Sequence, residues 1–498
     1  MRLTFLFVCL LPFVLSRHPN VLFLVVDDMR PQLGCFEGED FPAHPHPQMH
    51  TPNIDALAAR SLLLKRAHVQ QAVCAPSRAS VLTGRRPDTT RVHDFLHYWR
   101  ETGGNFTTIP QYFKENGYKS VGMGKVFHPG HSSGQDDPIS WSEKYFHADN
   151  SHWESRMHNT WLAVNDSEAE QFPLEDMQLA AHAKQTLKRL TNETQPFFLA
   201  VGFHRPHLPF VVPQRFFDLY PQEKVSLPSN PNAPIGMPEI AWADNGELRQ
   251  YKDMRNGKWY GAINDTLPDE VTLNLRRAYY SAISYTDSLI GDVLSTLDDL
   301  GLRDDTIISF WADHGWQLGE HGKWSKSSNF ELATHAPMMV SVPGMTDHGV
   351  VTEALTEFVD LFPSLVELTG LPAIPLCQQN SSNVLVCHEG CSFVPLITDP
   401  KRNWKRAVYS QYPRMYISGD VIMGYAMRTQ EHRYTEWLTY DAGTYTPTAN
   451  IHSRELYDHV IDPDENVNRV NYPEYASIVK ELHSVLHAGW RKALPPNI

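Results

Sequence analysis

Four runs of consecutive apolar residues stand out in the first two-thirds of the chain, and each stops beside a residue able to do chemistry. Residues 21–26 (VLFLVV) end at Asp27-Asp28, 197–201 (FFLAV) end shortly before His204, and 307–312 (IISFWA) end at Asp313-His314. A shorter run, 120–124, precedes Lys125. Apolar runs of this length without alternation predict strands buried on both faces. Helical patterns over 76–82, 176–190, 273–300 and 356–368 alternate with them, which makes the fold class α/β. The stretch 374–403, rich in Pro, Cys and Asn, reads as a boundary. Beyond it, 407–411, 421–428 and 432–438 predict strands and 475–488 a terminal helix, a smaller α+β unit. No internal repeat is present.

In open α/β sheets, ligands bind beyond the carboxyl ends of the strands. Asp27, Asp28, Lys125, His204, Asp313 and His314 all fall within a few residues of such ends. An Asp-Asp pair after a strand also suits a turn, but its echo in Asp313-His314 points to an oxygen-rich site for a divalent cation.

The N-terminus changes the picture of where this chain works. One basic residue, Arg2, precedes a short apolar stretch to Ser16, the anatomy of a signal peptide and too short to span a bilayer. Five N-x-[ST] sequons, at Asn105, Asn165, Asn192, Asn264 and Asn380, agree with a secretory route. At 498 residues the chain exceeds one ordinary core, so about two domains are expected. We assign 1–16 to the signal peptide, 17–398 to a catalytic domain and 399–498 to a C-terminal subdomain. The balance of 43 basic against 57 acidic residues, a net −14, argues against nucleic acid as a partner. Protonating all 25 histidines in acid would carry the formal charge to about +11, a surface that attracts polyanions. Without Cys9, an odd set of Cys35, Cys74, Cys377, Cys387 and Cys391 remains, so at least one has another task. The trio at 377–391 suits one local disulfide, Cys35 reads as an inert core thiol, and Cys74 is the unusual one.

Around it runs Cys74-Ala-Pro76-Ser77-Arg78-Ala-Ser-Val-Leu-Thr83-Gly84. Pro76 suits the first turn of a helix and Gly84 its end, which puts Cys74 at a positive helix N-terminus, a natural anion site. The segment resembles the signature of the sulfatase family, Cys-x-Pro-Ser-Arg followed by an apolar pair and Thr-Gly. Further stretches resemble the same family, in its branch acting on 2-sulfated iduronate: 84–91, 108–118, 124–130, 197–210, 313–322 and 409–414. Residues 131–175 depart most and lack a cysteine pair expected there. The histidine-rich 44–50 is unmatched and reads as solvated loop.

The resemblance implies an alkaline-phosphatase-like large mixed sheet flanked by helices, with an antiparallel sheet in the C-terminal subdomain. It implies oxidation of Cys74 to Cα-formylglycine by a formylglycine-generating enzyme, and one calcium ion held by Asp27, Asp28, Asp313, His314 and the modified Cys74. His314 is the least usual of these, because many sulfatases have Asn there and imidazole is an uncommon calcium ligand. Arg78 would fix the modified side chain, and Lys125, His128, His204 and Lys326 would surround the sulfate, with His204 as general acid and His128 as base. Cys377 and Cys387 would pair, with Cys391 as competitor. The implied activity is removal of the 2-sulfate of terminal iduronate from heparan and dermatan sulfate by a lysosomal, glycosylated monomer with a possible secreted form. Long loops over 36–49 and 128–165 would wall a pocket for one terminal sugar, with Arg91 or Arg100 on the uronate carboxylate. The competing readings are a sulfatase for another glycan or choline sulfate, a phosphatase or phosphonate hydrolase of this fold, and an inactive glycan-binding protein.

Overall fold

The computed structural model describes residues 18–496 except 38–44, 245, 256–258, 260, 416–420, 442 and 445. The signal peptide over 1–16, Cys9 and His44 therefore lie outside the described residues, as does the middle of the 36–49 loop. Seven strands form the main sheet: β1 (Asn20–Val26), β2 (Leu62–His68), β3 (Lys119–Gly124), β4 (Phe197–Phe203), β5 (Thr306–Ala312), β6 (Met338–Ser341) and β7 (Val350–Glu357). Their order is β7-β2-β6-β5-β1-β4-β3. Only β6 runs antiparallel to its neighbours, so the sheet is mixed. Every residue of β1, β4 and β5 is buried, as their unbroken apolar runs require.

Register is what builds the site. Val26 pairs with Phe203 on one side and Ala312 on the other, and Gly124 pairs with Gly202. Four adjacent parallel strands therefore finish level, and Asp27, Lys125, His204 and Asp313 each come one residue past an end.

Four helices frame this sheet: α1 (Cys74–Thr83), α2 (Glu175–Leu190), α3 (Asp269–Asp299) and α4 (Leu361–Leu368). The start of α3 is sharp, because Pro268 precedes it and Asp269 and Glu270 meet the positive end of the helix. The helix expected over 356–368 is shorter than its pattern. Thr356 and Glu357 complete β7, a 3-10 turn covers Phe358–Asp360, and only then does α4 begin. Glu357 is drawn into the sheet edge by its bidentate pair with Arg86, 2.7 Å at both oxygens, and by Lys405 at 2.7 Å.

Beyond residue 403 a four-stranded antiparallel sheet follows chain order: β8 (Val408–Met415), β9 (Val421–Arg428), β10 (His432–Asp441) and β11 (Thr446–Asp458). Helix α5 (Ala476–Ala488) lays Leu482 and Leu486 against Ala407, Met427, Tyr434 and Leu456. Strand β11 has no counterpart in the apolar pattern, since its first half is solvent-exposed. The Cys377–Cys387 disulfide is present, and Cys391 is a free buried thiol. Among the described residues, no helix is long and apolar enough to cross a membrane.

This C-terminal sheet contains a proton store. Burial raises the Glu455 pKa to about 7, although Trp437 Nε1 and Tyr457 donate to its oxygens at 2.7 and 2.8 Å. Between about pH 4.5 and 7 the native state then holds a proton that the unfolded chain has released, so stability falls as pH rises. Glu455→Gln should remove this slope, raising stability at pH 7.5 by on the order of 2–3 kcal/mol and much less at pH 5. Melting temperatures of both proteins across that range check the sign. An unchanged slope in the variant would count against it.

Candidate active site

Cys74 opens α1, with Val73 extended before it and Gly84 in the left-handed region, φ 65°, closing it. The thiol lies 3.5 Å from Asp27 Oδ1, 3.3 Å from His314 Nε2 and 3.9 Å from Lys125 Nζ. Burial, helped by Asp27, pushes its pKa well above the ordinary thiol value. An unmodified Cys74 would therefore be a poor nucleophile despite its helix N-terminus.

Arg78, one turn further along α1 and fully buried, ties the strand ends together. Its Nε donates to Asp313 Oδ2 at 2.9 Å, a second nitrogen lies 3.2 Å from Asp27 Oδ1, and Nη1 donates to the carbonyls of Lys125 and Val126. Lys125 bonds Asp27 Oδ2, while Lys326 reaches both oxygens of Asp28 at 3.0 and 3.1 Å and Glu247 at 3.2 Å. Burial opposes charge on Asp27, yet Lys125 and Arg78 hold its pKa well below the usual value. Asp28 goes the other way: burial dominates, Lys326 only partly offsets it, and neighbouring carboxylates add to the rise. Its backbone is strained as well, at φ 56°, and Tyr279 holds it by donating to the Asp28 carbonyl at 2.7 Å.

These features fit a metal ion. Ligand atoms of Asp27, Asp28, Cys74 and His314 all lie within 4.8 Å of one another, and all four residues are buried. Asp313 lies beside this group of four without being one of them: its Oδ2 is 3.5 Å from His314 Nε2 and its Oδ1 accepts from the Asp28 N–H at 3.1 Å. His314 Nδ1 sits 3.0 Å from the Gly315 carbonyl, which fixes the proton there and leaves the Nε2 lone pair facing the carboxylates.

The histidines divide differently from the expectation. His204 does not face the cluster: it turns to the start of α2, with Nε2 3.3 Å from Glu175 and Nδ1 3.4 Å from Asp176. Asp176 pins that backbone by accepting the N–H groups of His204 and Arg205 at 2.8 and 2.9 Å. The turn that follows, closed by the His207 N–H on the His204 carbonyl, delivers His207 instead. His207 Nε2 lies 3.8 Å from Asp28 and 3.3 Å from Glu247, while Nδ1 is 2.6 Å from the Leu208 carbonyl. Burial, with Lys125 and Lys326 nearby, lowers its pKa well below the ordinary value. His128 is half-buried beside Phe95, with Nδ1 on Ser132 and the Pro129 carbonyl, and burial together with Lys125 lowers its pKa to about 4. Arg100 is committed to a bidentate pair with Asp136, 2.7 Å at each oxygen, and Arg91 donates to the Thr102 carbonyl at 3.4 Å.

His207 and Glu247 were thus missed from sequence. The first had a signal, being the second histidine of His204-Arg-Pro-His207 after a strand end. Glu247 had none, since it arrives on a long irregular connection. Because His207, and not His204, faces the site, His207→Ala should lower kcat on an aryl sulfate by about 10²–10⁴, and His204→Ala by far less. Steady-state kinetics of the two variants decide between them, and a larger loss at His204 would reverse the assignment.

A mixed α/β sheet with a buried cysteine at a helix N-terminus, ringed by carboxylates, imidazoles and lysines, is the architecture of sulfuric ester hydrolases. The sulfatase family model matches residues 19–371, and a model for the N-sulphoglucosamine sulphohydrolase C-terminal region matches 319–492. The chain belongs to the sulfatase family, whose members generally use formylglycine and a metal ion. It is similar to iduronate 2-sulfatase of Mus musculus, 39% identical over 93% of each chain, and to that of Homo sapiens, 40% identical over 91% of each. A solved 2-O GAG sulfatase shares the fold with a TM-score of 0.70, 21% identity and coverage of 96% of this chain and 93% of its own.

Proposed function

We propose that this chain hydrolyses the 2-O-sulfate of terminal L-iduronate in heparan and dermatan sulfate, with formylglycine made from Cys74 and one calcium ion. The observation that carries the substrate is the 39–40% identity to iduronate 2-sulfatases across more than nine-tenths of the chain. Asp27, Asp28, Asp313, His314 and the modified Cys74 would hold the ion, and their mainly carboxylate character suits calcium. When bound, the ion supplies positive charge for the ester oxygens and favours an ionised nucleophile. Formylglycine, as its hydrate, supplies the hydroxyl that attacks sulfur.

The chain's own residues do the rest. Lys125 and Lys326 aim two ammonium groups into the buried carboxylate ring, where the sulfate oxygens gain negative charge in the transition state. Lys326 sits 4.9 Å over Trp316, which limits its motion. His207 is neutral at rest, and the negative charge of the bound ester favours its protonation at Nε2, from which a proton can pass to the leaving sugar oxygen. Glu247 lies 3.3 Å from that same nitrogen and accepts from it once it is protonated, while the Leu208 carbonyl accepts from Nδ1 and holds the ring. His128 stays neutral above about pH 4 and is available as the base that later removes a proton from the nucleophile's second hydroxyl. Arg78 holds Asp27 and Asp313 in place.

The five sequon asparagines are all exposed, which supports a glycosylated chain delivered through the secretory route to lysosomes, modified on the way by a formylglycine-generating enzyme. Sulfate release from defined disaccharides at about pH 5 tests the function. Release is expected from terminal 2-sulfated iduronate and not from 6-sulfated glucosamine or choline sulfate. A long chain with internal sulfated iduronates should lose sulfate only at its non-reducing ends. Preference for either alternative sulfate would overturn the substrate assignment.

A further inference from the structure

The C-terminal subdomain carries a second set of metal-ligating side chains, remote in sequence from the site above. Helix α5 places His483 and His487 four residues apart, so both imidazoles emerge on one face. That face lies against β10, and both rings turn to one buried carboxylate, Glu436. His483 Nδ1 is 2.7 Å from Oε1 and His487 Nε2 is 2.8 Å from Oε2. The rings lean on each other with centroids 4.3 Å apart, and 40% and 45% of the two histidine side chains stays open to solvent. The three ligand atoms lie within 4.8 Å of one another.

We propose that Glu436, His483 and His487 form a binding site for a zinc-class divalent transition metal. Two imidazoles and one carboxylate are the donors such ions prefer, whereas calcium requires more oxygen ligands than the cluster offers. In tetrahedral zinc coordination neighbouring ligand atoms stand roughly 3.3 Å apart, so each imidazole needs to withdraw only about half an ångström from the carboxylate. Exposure of the two rings gives the ion an entry path and leaves the fourth position to water. The site also lies at the C-terminal end of α5, where the helix carries negative partial charge and favours a cation.

The other groups facing Glu436 are compatible with this. The Tyr434 hydroxyl donates to Oε1 at 2.6 Å and orients the carboxylate from the same strand. Arg454, on β11, meets Oε1 at 3.2 Å, but its side chain is 40% exposed and can swing into solvent when an ion arrives. Among the described residues Oε2 meets His487 alone, and it is the oxygen placed to ligate.

The test uses the full chain loaded with calcium, dialysed against zinc chloride at pH 7.5, with bound zinc measured by elemental analysis. One zinc per chain is expected. The double variant H483Q/H487Q and the single variant E436Q should each weaken binding by at least about tenfold, with calcium content and sulfatase activity kept. Cobalt(II) supplied instead of zinc should give tetrahedral visible absorption in the parent chain and not in the double variant, a readout independent of catalysis. Melting curves of the metal-free proteins show whether the variants fold. No zinc bound at pH 7.5, or equal zinc and cobalt signals in parent and folded variants, would overturn the proposal.

Discussion

Alanine at Cys74 is expected to abolish sulfate release, with a fall in kcat on the order of 10⁵–10⁶. The reason is the isolation of the residue's role. Lys125, Lys326, His207 and the carboxylates would all remain, but none can become the attacking hydroxyl. The fold should hardly notice, because alanine is a good helix former and the thiol's polar contacts with Asp27, His314 and Lys125 are long, 3.3 to 3.9 Å. The loss should therefore appear in turnover with a melting temperature near that of the parent. Mass spectrometry of the peptide spanning residue 74 in active parent enzyme should show the aldehyde or its hydrate. Full activity in a preparation carrying only the thiol would refute the mechanism.

The largest effect on stability is expected from Glu331→Ala. Glu331 is buried between the main sheet and the C-terminal sheet. Its Oε2 accepts from Arg428 Nε at 3.1 Å and from Arg433, and its Oε1 meets His68 Nε2 at 3.2 Å. Its backbone N–H donates to Glu465, which in turn pairs with Arg433 at 2.6 Å and His459 at 3.0 Å. Burial disfavours its charge, but Arg428 and His68 hold its pKa well below the usual range. Removing this carboxylate leaves two buried guanidinium groups short of a partner, a loss of about 3–5 kcal/mol. A melting temperature lowered by several degrees, or failure to recover folded protein, is the expected result. A melting curve superimposable on the parent would show that Glu465 alone can satisfy both arginines.

How much of this was legible in the sequence depended on how local the cause was. The strands ending at Asp27, Lys125, His204 and Asp313 announced themselves, because a strand buried on both faces is built mainly from apolar residues. Strand β2 did not: Leu62-Leu-Leu gives way to half-buried Lys65 and Arg66, whose heads reach the Cys35 carbonyl and Glu353. Strand β11 was invisible for a similar reason, since its first half is solvent-exposed and paired through its backbone to β10. The overlong helix over 356–368 came from continuous hydrophobicity that a buried ion pair at Glu357 interrupts. No local pattern encodes a partner, Arg86, so far away in the chain.

The candidate site divides along the same line. By itself the sequence determined the sheet-and-helix alternation, the Cys74 motif at a helix start, and the metal-ligand types waiting at the strand ends. Those depend on short spacings and on which side chains can be buried. Only the tertiary structure decided which of His204 and His207 turns inward, because that choice rests on Asp176, from α2, taking the His204 and Arg205 backbone. It alone brought in Glu247, and it alone set the opposite pKa shifts of adjacent Asp27 and Asp28. Their electrostatics are governed by which lysine, Lys125 or Lys326, the fold places against each, and charge interactions at a few ångströms are fixed by packing, not by neighbourhood in the chain.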